Sequence, residues 1–211
     1  MSIVDYIKDF PVQRFSRGTV HIQKGDPLDF LMAIREGYVK VTSISDAGIE
    51  RLLWIAGRYD FAPVEQLFSK HSNSRFFYTA LTDGSYYEVS RPKLIAHASQ
   101  DPLVMMEIAR GMSEHYDDFL QRVDAVDGLS VRERLLRTLY YLAQRFSAGA
   151  EVDLYKEGLR VTHQDLAAMI GSTRETTSVT LSEIRNEGFI SYDRKHFVVN
   201  AAKIEKEAGQ A

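Results

Sequence analysis

The sequence predicts an α+β chain: an N-terminal antiparallel β roll, one long helix, and a C-terminal unit of capped helices closed by a β hairpin. Three observations carry that expectation. Short β-rich runs alternate with turn signals from Arg14 to about Val89. A narrow apolar seam with heptad spacing runs from Met105 to Val126. Two short helical patterns meet at Gly171, and two apolar runs flanking a basic turn follow them. A length of 211 residues suits two small domains.

In chain order, Ile3, Tyr6, Ile7 and Phe10 lie on one side of a short amphipathic helix over Met1–Phe10. The β runs are Thr19–Gln23, Phe30–Arg35, Tyr38–Ser43, Arg51–Ile55, Phe76–Leu81 and Ser85–Val89. Glycines fall between or beside them, and Asp46–Gly48 reads as a hairpin turn. Strands this short and regular suggest a closed antiparallel roll or sandwich. Ser90 is placed to cap a short helix with Pro92 in its first turn.

A second helix start follows at Asp101-Pro102. Its apolar positions are Met105, Ala109, Met112, Tyr116, Phe119, Val123 and Val126, at gaps of 4, 3, 4, 3, 4 and 3. Such a helix can lie on its own β roll or pair with its twin. A helix on a roll needs a wider apolar stripe, so the narrow seam at period 3.5 favours the twin. Gly128 marks the boundary, and Ser130…Glu133 forms a capping box. Val131 to about Phe146 reads as a helix that buries Leu135, Leu139 and Leu142, with a loop at Ala148–Ala150 and a possible strand at Gly158–Val161.

The remaining stretch, Thr162 to Ile190, carries the chemistry. Thr162…Asp165 opens a helix that buries Leu166, Ala167 and Ile170. Gly171 stands where the turn needs a flexible backbone. Ser172 or Thr173 caps the next helix, which buries Leu181 and Ile184 and leaves Arg174, Glu175 and Ser178 outward. Arg can pair bidentately with guanine and Glu can accept from cytosine N4, so this helix suits a major groove. The hairpin Phe189–Tyr192 and His196–Val199 turns at Asp193-Arg194-Lys195, a basic wing. The alternative is a helical hairpin that makes protein contacts and no DNA contacts.

Composition limits other functions. Hydrophobic residues at 45% and charged ones at 26% fit a globular protein. There is no run of about 18 apolar residues and no signal-peptide pattern, so a cytoplasmic protein away from the membrane is expected. The absence of Cys removes disulfides and thiolate metal sites. A net charge of −3 gives no bulk attraction to DNA, so local Arg, Lys and helix N-termini must supply it. No G-x-S-x-G, P-loop or H-E-x-x-H is present, and an enzyme is not expected.

The order of elements resembles the CRP/FNR superfamily of bacterial transcription regulators over nearly the whole chain. L-A-A-M-I-G-S-T-R-E-T at Leu166–Thr176 and N-E-G-F-I at Asn186–Ile190 carry most of the likeness, and R-E-G-Y-V-K-V at Arg35–Val41 resembles a strand of the family's roll. The resemblance implies a cyclic-nucleotide-binding-domain-like β roll over residues 1–100, a dimerisation helix over 101–127 and a winged helix-turn-helix over 128–211. It also implies a homodimer on a palindromic double-stranded DNA site, with RNA polymerase as a further partner. Arg174 and Glu175 match the family's base-reading pair, and Ser178 and Val179 match the next groove-facing positions. Val179 departs from the Arg found in many members and offers only apolar contact, for instance to a thymine methyl. Gln164, Thr173 and Thr176 match phosphate-holding positions. Thr162 and His163, with Arg194 and Lys195 of the wing, complete the phosphate candidates. Thr177 stands where the family usually has an aliphatic residue, a modest expected loss.

The roll departs further. Members that bind cyclic nucleotide carry Gly-Glu-Leu and a later Arg-Ser or Arg-Thr pair. Here Pro63 and Val64 stand in place of Gly and Glu, and Ser74-Arg75 reverses the pair, which counts against cyclic nucleotide. A one-residue shift would bring in Glu65 and Arg75. Arg58, Glu65, Arg75 and Phe77 are therefore the candidate effector-pocket residues, with Arg58 or Arg75 suited to an anion. Haem is an alternative, with His71 or His97 as axial ligand. A third reading has Phe61, Phe68, Phe76, Phe77 and Tyr78 filling the roll, leaving a constitutively competent dimer.

Overall fold

The structure, a computed structural model, describes residues 3–124, 130–147 and 149–208, with the backbone alone at 118, 121, 122, 124 and 208. Seam residue Val126 and boundary residue Gly128 lie outside the described residues, as does Ala148 of the expected loop. The chain divides into two compact units, Met1–Phe119 and Leu120–Ala211.

The first unit is a β roll of two four-stranded antiparallel sheets. One has the order β1 (Val12–Phe15), β8 (Gly84–Ser90), β3 (Phe30–Glu36), β6 (Phe61–Ala62). The other has the order β2 (Val20–Ile22), β7 (Phe77–Ala80), β4 (Val39–Ile44), β5 (Glu50–Ala56). All six strands expected from the sequence are present. β1 and β6 were not anticipated; one carries charge and the other is two residues long, so neither shows a usable alternation.

Pleating explains the layering. On β3, Met32 and Ile34 point between the sheets with Val39, Val41, Trp54, Tyr78 and Tyr86. Leu31 and Ala33 point the other way, into a second core with Ile3 and Ile7 of α1 (Ile3–Ile7), Leu94 and Ala98 of α2 (Arg91–Gln100), and Val104 and Ile108 of α3 (Pro102–Asp124). β3 is thus buried on both faces, as its continuous apolar run requires. Ser90 occupies the α2 cap position, but its side chain makes no capping hydrogen bond, which corrects the expected cap. The D-A-G hairpin closes as expected, with Ser45 N donating to Ile49 O at 3.0 Å and Gly48 at φ 76°.

The second unit holds α4 (Val131–Phe146), α5 (His163–Ile170), α6 (Arg174–Asn186) and α7 (Ala201–Ala208) beside a three-stranded sheet, β10 (Ile190–Tyr192), β11 (Phe197–Asn200), β9 (Glu151–Asp153). The possible strand at Gly158–Val161 is not formed; the third strand lies earlier, at β9. Leu159 and Val161 do alternate inward, but they pack into the core with no strand paired to them among the described residues. The Ser130–Glu133 capping box is complete and starts α4, whose Leu135, Leu139 and Leu142 are buried, and α4 packs on α5, α6 and α7.

Candidate nucleic-acid interface

The α5–turn–α6 geometry follows from its caps. Thr162 Oγ1 accepts from Asp165 N at 3.1 Å, and Asp165 Oδ2 accepts from Thr162 N at 3.0 Å and from Thr162 Oγ1 at 2.7 Å. Gly171 ends α5 in the left-handed region at φ 66°, ψ 43°, where a Cβ would cost about 1–2 kcal/mol. Thr173 rather than Ser172 caps α6, its Oγ1 accepting from Thr176 N at 3.1 Å. Every residue of α5 from Asp165 to Ile170 is buried, so α5 is a wall against which α6 is fixed.

α6 divides sharply into two faces. Thr177, Thr180, Leu181 and Ile184 are buried. Arg174, Glu175, Thr176 and Val179 are exposed, Val179 at 60%. Ser178 is half-buried: its Oγ donates to Arg174 O at 2.8 Å and lies 2.9 Å from His163 Nδ1. Thr177 is fully buried, and its Oγ1 donates to Thr173 O at 2.8 Å. The buried hydroxyl is thus satisfied within its own helix.

The phosphate candidates divide as well. Gln164 is exposed on the first turn of α5. Thr176 Oγ1 accepts from Thr173 Oγ1 at 3.0 Å and keeps its own hydrogen for another acceptor. The Thr162 hydroxyl hydrogen goes to Asp165. His163 turns Nδ1 toward Ser178 and sets its ring edge-on to Tyr192 of β10, at 5.8 Å. Burial and then the Arg174 charge hold its pKa below the usual histidine value. In the wing, Asp193 Oδ1 accepts from Lys195 N at 2.6 Å and His196 N at 2.8 Å, and Arg194 and Lys195 are exposed. Those two hydrogen bonds, first from Lys195 and then from His196, hold the Asp193 carboxyl below its usual range. The His163–Ser178 contact and the Tyr192 packing were missed by sequence reasoning, because they join residues far apart in the chain.

Among the described residues, the effector candidates of the roll make separate contacts. Arg58 lies over the ring of its neighbour Tyr59, and Arg75 over that of Phe76. No ion pair joins either to Glu65 among the described residues. Glu65 instead meets the hydroxyl of Tyr78 and the amide of Gln66. Burial and then the Glu65 charge push the Tyr78 phenol far above its ordinary value. The expected aromatic filling also needs correction: Tyr78 alone of the five is fully buried, Phe61, Phe76 and Phe77 are half-buried, and Phe68 is 43% exposed. Period-2 alternation on β7 sends Tyr78 and Ala80 inward and Phe77 outward. Of the haem candidates, His71 is exposed and His97 stacks on Tyr6 with centroids 3.9 Å apart.

On α3, Met105 and Met112 are partly buried against the helical core of the first unit, and Val104 and Ile108 are buried there. Ala109 is exposed, as are Tyr116 at 60%, Phe119 at 49%, Leu120 at 42% and Val123 at 47%. Met105 and Met112 of the seam therefore face their own unit, and Tyr116, Phe119 and Val123 are exposed among the described residues. No helix among the described residues is long and apolar enough to cross a membrane.

Comparison with known proteins agrees with this geometry. Residues 12–101 match the cyclic nucleotide-binding domain family, and residues 133–206 match the Crp-like helix-turn-helix domain family. The chain is 27% identical over 191 residues to an anaerobic regulatory protein of Pasteurella multocida, covering 90% of this chain and 67% of that one. It is 26% identical over 192 residues to a CRP-like cAMP-activated global transcriptional regulator of Mycobacterium tuberculosis, covering 88% and 82%. The solved structure of the c-di-GMP responsive global regulator CLP of Xanthomonas campestris superposes with a TM-score of 0.75 at 23% identity, covering 93% and 97%. Both domain matches, in this order along one chain, with regulators as relatives over 90% and 88% of this chain, make the protein a member of the CRP/FNR superfamily of DNA-binding transcription regulators.

Proposed function

We propose that the protein binds a palindromic promoter site as a homodimer, with α6 of each protomer in a major groove. The observation that carries this reading is the division of α6: one face buried without exception, the other offering Arg174, Glu175 and Val179 to solvent. Arg174 reads guanine, Glu175 accepts from cytosine N4, and Val179 meets a thymine methyl. Ser178 completes the base-reading set. Gln164, Thr176, Arg194 and Lys195 hold phosphates, while Thr162, Thr173 and His163 frame them, their side-chain hydrogens taken up by Asp165, Thr176 and Ser178. Tyr116, Phe119, Leu120 and Val123 form the pairing surface, in line with their exposure on α3. The apolar spacing of the helix supports the same surface. Two half-sites then lie roughly 10 bp apart centre to centre. RNA polymerase is the further partner and the cytoplasm the place of action.

For the roll, we infer that Tyr78 and Glu65 occupy the interior themselves, so that the dimer is DNA-competent without a cyclic nucleotide. The names of the relatives invoke cAMP in one case and c-di-GMP in another, so family membership does not carry an effector with it. Gel retardation of a selected site, with and without added cyclic nucleotides, tests this. Retardation that requires a nucleotide refutes the self-filled roll; no retardation of any duplex at low salt refutes DNA binding.

A further inference from the structure

His163 and Ser178 stand 15 positions apart, one on the first turn of α5 and the other on the groove-facing side of α6. Their side chains meet at 2.9 Å, Nδ1 to Oγ. Ser178 Oγ also lies 2.8 Å from the carbonyl oxygen of Arg174. Proton counting fixes the polarity of this pair. A serine hydroxyl has one hydrogen and two lone pairs. The carbonyl of Arg174 can only accept, so the Ser178 hydrogen is spent on it, the usual back-bond of a helical serine. Nδ1 of His163 must then carry a hydrogen and donate it to Oγ. One lone pair of Oγ is left over, and no hydrogen. The imidazole is itself held from the far side, edge-on to Tyr192, whose ring stacks on Phe197 and carries Arg185 above it at 4.9 Å. The wing therefore braces the histidine, and the histidine sets the serine.

We propose that His163 is a positioning residue for sequence readout: it makes Ser178 an acceptor-only reader. This rests on the major-groove placement of α6 proposed above. In that groove, the base-edge donors are adenine N6 and cytosine N4, while guanine and thymine present acceptors at the corresponding edges. An Oγ with only a lone pair left accepts from adenine or cytosine and repels the O6 or O4 of the other two. The Nδ1–H on one lone pair keeps the hydroxyl turned toward Arg174 O; without it the hydroxyl can rotate to donate to a base, and any of the four is tolerated. His163 thus contributes specificity at a base it does not touch. With its hydrogen on Nδ1, the neutral ring has only an acceptor at Nε2 and holds no phosphate.

The test is an unbiased duplex-binding selection on the full-length protein and four variants: Ser178→Ala, His163→Phe, His163→Asn, and Ser178→Ala with His163→Phe. Ser178→Ala identifies the base position by the preference it erases. Wild type should show adenine or cytosine there, favoured about fivefold, the lower end of a good base contact. His163→Phe keeps the ring against Tyr192 and removes the N–H; it should flatten the preference at that one position and leave the guanine opposite Arg174 unchanged. His163→Asn can place an amide N–H where Nδ1 stands and should restore the preference. The double variant should match Ser178→Ala alone. A uniform loss of affinity in His163→Phe with the wild-type preference intact would overturn the proposal and leave a phosphate contact instead. So would guanine or thymine at the Ser178 position in wild type, or a failure of His163→Asn to restore the preference. An absence of any enriched site for wild type is a different failure, that of the DNA-reading assignment itself.

Discussion

Replacing Asp165 with Ala should destabilise the helix-turn-helix unit by about 1.5 kcal/mol. Asp165 is only 5% exposed, and its Oδ2 is the acceptor for both the backbone N–H and the hydroxyl of Thr162. Truncation removes the return half of the capping box, and losing one member of such a cap costs about 0.5–2 kcal/mol. It also removes a carboxylate from the positive end of α5, worth about 0.3–1 kcal/mol. Alanine returns about 0.5 kcal/mol through its better helix propensity. Asp165→Asn keeps an acceptor of the same shape and should lose only the charge, about 0.5–1 kcal/mol. Urea unfolding followed by far-UV circular dichroism reads both variants. With a slope of roughly 1–1.5 kcal/mol per molar for a unit this small, the alanine variant should shift its midpoint by more than about 1 M. The single tryptophan, Trp54 on β5, reports the other unit and serves as an internal reference. A shift in Asp165→Ala worth less than about 0.5 kcal/mol, or an asparagine variant as damaged as the alanine one, would refute the capping argument.

Thr177→Val should be neutral or stabilising by up to about 1 kcal/mol in the same assay, because Thr173 O keeps its hydrogen bond from Thr177 N at 3.0 Å and no buried acceptor is stranded. Tyr78→Phe should cost about 1–3 kcal/mol in Trp54-detected unfolding, since it takes a donor from the Glu65 carboxylate in a buried setting. The histidines set a pH dependence. Burial lowers the pKa of His21 in the folded state, and burial with the Arg174 charge lowers that of His163. The unfolded chain takes up these protons near pH 6.5 and the folded chain only at lower pH, so stability falls as pH drops below about 6.5 and is unaffected by these groups above it. His21→Phe should therefore lose less stability than wild type between pH 7.5 and pH 5.5, measured by Trp54 fluorescence in urea; an equal loss would show that His21 is not the group. Tyr116→Glu with Phe119→Glu should give monomers by light scattering, whereas a persistent dimer would place the pairing surface elsewhere.

Much of the fold was legible because it rests on local rules. The caps at Ser130, Thr162 and Thr173 name their helices, and period-2 runs name six strands of the roll. Residues whose role depends on distant partners were not legible. Val161 and Leu159 alternate as a strand does, yet pairing needs a neighbour that alternation cannot supply. The heptad spacing of α3 is real, but Met105 and Met112 answer to the core beside Val104 and Ile108, which that spacing omits. At the candidate interface, helical spacing assigns Arg174, Glu175 and Ser178 outward, and the family resemblance adds Val179. That Ser178 is half-buried and tied to His163 could not be read, because a fifteen-residue separation across a turn carries no periodic signal. In the roll, composition suggested an aromatic filling, and only the pleat decided that Tyr78 goes in and Phe77 out.

The central claim is that Arg174 on α6 reads a base in each half of a two-fold symmetric site. It is tested most directly by an unbiased duplex-binding selection with the wild-type protein and Arg174→Ala side by side. The expected result is an enriched palindrome with half-sites roughly 10 bp apart for wild type, and the same palindrome with one guanine preference lost from each half for the variant. No enriched palindrome for wild type, or an unchanged one for Arg174→Ala, would contradict it.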